Sequence, residues 1–132
     1  NGTNMAIYSY TGANMADPIG LVHTGGAEAT RSASGYSGSL GGTMASSSQI
    51  LSAALIAENQ TDAMATPGTG YTEDINTAIT SSVAMQLQYS NTIGLSSVEY
   101  NNIEAAYMWR VVAFEVKGAQ SSTGFSFGMI YY

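Results

Sequence analysis

One histidine, nine carboxylates and three fixed cations are all the charge chemistry that the side chains of this 132-residue chain carry. His23 stands in LVHTGG. A nucleophilic triad needs its imidazole beside a hydroxyl and a carboxylate; hydroxyls abound, but there is no G-x-S-x-G elbow to hold one. His23 is therefore expected to be an exposed loop or strand-end residue. Glu73 and Asp74 are adjacent. Successive side chains of a strand point to opposite faces, so these two cannot form a paired acid/base site by themselves. With Asp17 or Asp62 from other loops they could offer oxygens to calcium, the one cofactor candidate, yet the D-x-D-x-D-G loop is missing. Ordinary solvated acids with no bound metal are the expectation. GTGYTE and GYSGSLGG are glycine-rich, but phosphate-cradling loops need a following helix or a lysine, and tight turns explain these glycines. Arg110 is the most informative single residue, because Met108, Val112 and Phe114 share its side of an apolar run. A cation buried there without a partner would be costly. It should find a carboxylate on another strand or another subunit, or snorkel to the rim on its apolar stem. No catalytic set emerges, and the chain reads as a non-enzyme.

Composition narrows the partners. Only 9% of residues are charged, against about 25% in ordinary soluble domains. Ser, Thr, Asn, Gln and Gly supply the polarity instead, and such a surface loses little on being covered because few charges need desolvating. With Arg31, Arg110 and Lys117 as the only fixed cations and a net charge of −6, nucleic acid and anionic membrane are poor partners, since phosphate binding is built from clustered Lys and Arg. No apolar run approaches the roughly 20 residues of a membrane span, and the chain opens without the basic and then apolar regions of a signal peptide. Asn1 is expected to be a processed end or the edge of a longer product. With no cysteine there are no disulfides, thiolates or zinc–cysteine sites. Asn1-Gly-Thr and Asn59-Gln-Thr match the glycosylation triplet, which recurs by chance in Asn- and Thr-rich chains. At 13.7 kDa the chain makes one domain that buries about two thirds of its unfolded surface.

The elements that must position these groups read as strands. In residues 104–117, Ala106, Met108, Arg110, Val112, Phe114 and Val116 alternate with Ala105, Tyr107, Trp109, Val111 and Ala113. Both sides are apolar, which predicts a central strand covered front and back, with Trp109 in the core rather than serving as a sugar platform. Its span of about 46 Å is long for one strand and predicts a bend, bulge or frayed end. Residues 4–10 predict a first strand and 11–20 a turn region around Gly12, Asn14, Asp17, Pro18 and Gly20. Residues 21–47 predict short edge strands between loops. Residues 48–58, SQILSAALIAE, suit either an amphipathic helix or a strand. A loop over 59–70 and a short strand over 71–80 follow. Residues 83–89 alternate Val83, Met85, Leu87 and Tyr89 with Ala84, Gln86 and Gln88, one dry face and one wet. A turn, a strand over 98–103 and the alternating FSFGMIYY of 125–132 complete the pattern. Short strands with turn signals between them predict an all-β sandwich or barrel.

The succession SYTGAN, DPIG, a Gly/Ser-rich loop, SQILSAALIAE, PGTGYTE, VAMQLQY and WRVVAFEVKGA resembles the later part of jelly-roll β-sandwich modules. These are similar to concanavalin-like sandwiches and recur in phage virion proteins and secreted bacterial surface proteins. The resemblance runs from about residue 5 to 119 and rests on strand order and turn residues. It implies an antiparallel jelly-roll-like sandwich over 1–119 and makes 48–58 a core strand. Tyr71 departs from it, since a tryptophan more often precedes the Thr-Glu pair, and such modules usually have several strands before SYTGAN. Strand edges then lie open, and natural guards such as Lys, Pro or charge are scarce, with Lys117 alone at a strand end. Residues 120–132 are expected to be a strand extension added to a neighbouring subunit. The assembly interface is placed on Phe125, Phe127, Met129, Tyr131, Tyr132 and Arg110. The implied function is that of a structural, homo-oligomeric virion protein, capsid-decorating or tail-associated, whose partners are its own copies and other virion or surface proteins. The alternative is a carbohydrate-binding or adhesive module, or a filament subunit, of a secreted bacterial surface protein that meets a glycan. Either setting is virion or extracellular.

Overall fold

In the computed structural model, residues 8–27, 35–57, 65–80, 83–101 and 108–119 are described. They contain no helix and eight strands: β1 (Ile19–Ala27), β2 (Gly35–Ser39), β3 (Gln49–Ala57), β4 (Thr66–Pro67), β5 (Thr72–Thr80), β6 (Val83–Ser90), β7 (Ser97–Asn101) and β8 (Met108–Val116). A five-stranded sheet of order β1-β8-β3-β6-β5 packs on a three-stranded sheet of order β2-β7-β4. Every pairing is antiparallel, so the expected all-β sandwich is what the chain forms.

Within the ambiguous run of residues 48–58, Gln49–Ala57 is the middle strand of the large sheet, paired along its length with β6 on one side and β8 on the other. Two complete ladders of backbone hydrogen bonds override the helical preference of its Ala and Leu. β8, expected at the centre, is interior but one place off it, between β1 and β3. Its nine residues span about 30 Å, and residues 104–107 of the expected strand lie outside the described ones. Two shorter expectations also change. Thr66 and Pro67, expected in a loop, pair with Asn101 and Tyr100 as the edge strand β4. Of the first strand expected over 4–10, residues 4–7 lie outside the described residues and 8–10 are not in a strand; among the described residues pairing begins at the bridge between Ala13 and Gly118.

The core lies between the sheets. Its bulk comes from the small sheet and its loops: Leu40, Met44, Ala65, Tyr71, Val98 and Tyr100 are buried, with Tyr36 and Trp109 packed against them. The large sheet, which brings Trp109 and Leu21 to the margin, answers at the centre with slender residues, Ile50, Ala54, Val111 and Ala113. This choice inverts the expected sides of β6. Gln86, Gln88 and Ser90 are the buried ones, at 1%, 1% and 2% exposure, and Met85, Leu87 and Tyr89 share the opposite side. Polar groups on this inner side are tied across the sandwich. The hydroxyls of Ser52 and Tyr100 meet at 2.7 Å, Gln88 Nε2 donates to the Glu99 carbonyl at 2.7 Å, and Ser90 Oγ donates to the Gly70 carbonyl at 2.6 Å. Gln86 has neither amide atom satisfied within the protein.

Glu115 fixes where β8 sits. Its side chain is 3% exposed, with Oε2 accepting the Leu21 N–H at 3.1 Å and Oε1 the Ala45 N–H at 3.0 Å. The β1 ladder is irregular between Ile19 and Val22, which turns the Leu21 N–H inward, and Gly20 is needed there because a Cβ would overlap Glu115 Oε2. Burial alone would raise the Glu115 pKa; the Ala45 and Leu21 N–H groups, the Ser48 hydroxyl and the Lys117 charge outweigh it and hold the carboxyl below its ordinary value.

Two substitutions test this account. Because the folded pKa of Glu115 is depressed, its contribution is complete above the unfolded value of about 4.3 and fades as pH falls through the folded value. Glu115→Gln should cost about 2 kcal/mol at pH 7, and the gap between variant and parent in urea denaturation should shrink below about pH 4; a gap that does not change with pH contradicts the assignment. Gln86→Met replaces an unsatisfied amide with an apolar side chain of similar volume and should raise stability by about 1 kcal/mol; a loss of stability would show that the amide is satisfied in solution.

Candidate functional site

The outer side of the large sheet is the chain's most unusual surface. Register places its residues in three rows across the strands: Val22, Phe114, Leu51, Tyr89 and Thr72; then Thr24, Val112, Ala53, Leu87 and Ile75; then Gly26, Arg110, Leu55 and Met85. Arg110 is the only charged member. An antiparallel sheet with one side on the core ordinarily turns a polar side to water. This one does not, and β8, expected to be covered front and back, is covered on its outer side only in part: Val112 is 42% exposed, and its neighbours on that face Leu55 46% and Val22 58%.

Part of this face is occupied. The segment from Tyr8 to Ala13 runs back along β8, joined to it where the Asn14 N–H donates to the Lys117 carbonyl at 2.9 Å and the Ala119 N–H to the Gly12 carbonyl at 2.6 Å. Tyr8 ends in a cavity of about 190 Å³ with Leu51, Ala53, Leu87, Val112 and Phe114 in its walls. Its hydroxyl donates to Asp74 Oδ2 at 2.5 Å. Burial first, then that hydrogen bond and the carboxylate's charge, raise the phenol's pKa well beyond its ordinary value. Leu51 and Leu87 are buried in consequence, at 7% and 8% exposure. Beyond Tyr8, toward Arg110, the face is open.

The residues expected to carry the interface divide. Phe125, Phe127, Met129, Tyr131 and Tyr132 lie outside the described residues. Arg110 lies on the outer face and is exposed, so the argument from burial cost does not apply to it. Its stem crosses Gly26 and its Nη1 donates to the Trp109 carbonyl at 3.3 Å.

The other polar groups do not converge. His23, expected at a strand end, is half-buried in the middle of β1, where Nε2 meets the Tyr36 hydroxyl and ties the edge of one sheet to the edge of the other. Trp109 packs edge-on against Tyr36, with 4.6 Å between ring centroids, and is partly buried at the margin of the core in which it was expected. Asp17 pairs with Lys117 at 2.5 Å, Glu73 accepts from Asn76 Nδ2 at 2.9 Å, and Asp74 takes Tyr8. Asp62 lies outside the described residues, among which no three His, Asp or Glu side chains come together to hold a metal. A second, polar cleft of about 300 Å³ opens where Tyr10 and Thr11 face Ser47, Gln49 and Asn91, with Gln49 Nε2 donating to Asn91 Oδ1 at 2.9 Å.

Sequence reasoning missed Tyr8 as an anchor and Glu115 as a clamp. A tyrosine in an IYSY run and a carboxylate in a strand carry no local mark of what they will meet. Tyr8→Ala should uncover Leu51 and Leu87, cost about 1–2 kcal/mol and increase the fluorescence of a hydrophobic dye. Tyr8→Phe should cost no more than about 0.5 kcal/mol, since the bond it loses is exposed; equal losses would give the anchoring to the hydrogen bond instead. Compared with protein-family models, with curated proteins and with solved structures, the chain matches none.

Proposed function

We propose that this chain is a non-enzymatic structural subunit that assembles with copies of itself. The observation that carries the reading is the apolar, nearly uncharged outer face of the five-stranded sheet, open at Val22, Leu55 and Val112. Exposed apolar surface of this kind marks a contact to be covered. The chain's sparse charge supports the same reading, because covering such a surface desolvates few ions. The jelly-roll resemblance adds the setting: a capsid-decorating or tail-associated protein of a virion, outside the cell, with residues 120–132 reaching a neighbour and no catalytic residue or cofactor.

A second reading, an adhesive module that binds glycan, draws on the cleft beside Tyr10. An exposed aromatic ring and the paired amides of Gln49 and Asn91 are groups that suit neutral hydroxylated ligands.

Absolute mass by light scattering separates the two. Assembly predicts a stable multiple of 13.7 kDa across a hundredfold range of protein concentration, and a shift toward the single-chain mass in Val112→Asp, which places an unpaired carboxylate in the apolar face. A single-chain mass at every concentration overturns the assembly reading and directs attention to glycan binding at Tyr10.

A further inference from the structure

We infer that the open part of the outer face, the strip of Val22, Val112 and Leu55, receives the 125–132 segment of a second copy. This inference rests on the assembly reading and names the two surfaces that meet.

The strip calls for side chains rather than a backbone strand. β8 and β3 already have ladders on both edges, so an incoming segment finds no free N–H or C=O row among them and must dock by apolar contact. Three of the four free sheet edges, all but that of β2, are poor competitors. β4 carries Pro67, β5 is bulged after Glu73 and again after Ala78, and the start of β1 is bulged; each feature spoils a flat row of donors and acceptors. The 125–132 segment has the matching chemistry: Phe125, Phe127, Met129 and Tyr131 alternate along it, and no residue from 118 to 132 is charged. The strip holds no carboxylate either, and Arg110 sits at its rim.

The origin of the tail favours a neighbour over the same chain. The described chain ends at Ala119, beside Gly12. From there the segment from Ala13 back to Tyr8 occupies the outer side of β8 past Val116 and Phe114 to Val112, the direct path to the strip. Thirteen residues reach about 43 Å when extended, so a tail that passes to an adjoining subunit has length to spare. A neighbour's tail meets the strip from its open side, without crossing Tyr8.

Photocrosslinking on the full chain tests this. A benzoylphenylalanine at Val112, and separately at Leu55, is placed in protein assembled from equal parts of ¹⁴N- and ¹⁵N-labelled chains. Both positions are exposed, so the probe should not prevent folding. The expected product is a crosslink from the probe to a peptide within residues 120–132 that joins light and heavy chains about half of the time. Crosslinks confined to one isotope place the tail on its own sheet and overturn the inference. Crosslinks to any other peptide, or none from either position, overturn it as well. Light scattering on the unmodified protein separates the two levels: an oligomer without tail crosslinks leaves the assembly reading standing and removes this docking site, whereas a single-chain mass removes both.

Discussion

The register of β8 between β1 and β3 decides everything else in this fold, because β8 has two apolar sides and only one of them can face the small sheet. A slip of one residue would exchange them. Val111 and Ala113 would leave the core, and Val112 and Phe114 would be forced under Tyr100. Glu115 makes the slip costly. Its carboxylate collects N–H groups from Leu21 and Ala45, and on the outer side it would lose both and face an apolar sheet. A buried carboxylate is poor evidence for stability in general. Here its two oxygens each have a backbone donor, and those donors come from β1 and from the turn before β3, the two neighbours whose register must be set.

With the register fixed, the division of labour between the sheets follows. The three-stranded sheet and its loops bring Tyr100, Tyr71, Val98, Leu40 and Met44, and the five-stranded sheet presents small or slender partners. Serines and glutamines on the inner side then serve as ties rather than as solubilising groups: Ser52 to Tyr100, Gln88 to Glu99 and Ser90 to Gly70. The unusual wealth of uncharged polar residues is thus spent partly inside the sandwich. The large apolar residues displaced from the inner side of β6 and β8 form the outer face, so the open strip is a direct result of how the core is filled.

Strand positions were largely legible in the sequence because period-two alternation and Gly, Pro and Asn breakers are local signals. Even 48–58, where helix and strand compete locally, came out as a strand on its resemblance to a core strand. The sidedness of the strands was not legible. In VAMQLQY the alternation separates Met85 and Leu87 from Gln86 and Gln88, but alternation says only that two sides differ, and the rule that the dry side is inner fails when the opposing layer already supplies the bulk. The same limit hid the site. Arg110 reads as buried from its neighbours in sequence, yet those neighbours are themselves on the outer face. Glu115 goes unnoticed because its donors lie 94 and 70 residues away in the chain. Tyr8 is invisible for the same reason, its partner Asp74 being 66 residues distant.

The edges bear on how such a module can meet its neighbours. From the sequence they looked unguarded, with Lys117 as the sole device. The fold guards them by geometry instead, through Pro67 in β4 and the irregular ladders of β1 and β5, and His23 with Tyr36 draws the edges of β1 and β2 together. Edge pairing adds strands one after another and is hard to limit, since each added strand presents a new edge. Contact through a face whose strands are already paired adds no strand to a sheet, but a tail-to-face contact is heterologous, and it closes into a ring or runs on as a filament according to the rotation between neighbours. Its extent is set by the apolar area on offer and by Tyr8, which has already taken one end. With its edges guarded, the proposed assembly would owe its size to the angle that the tail-to-face contact sets between neighbours and not to strand addition.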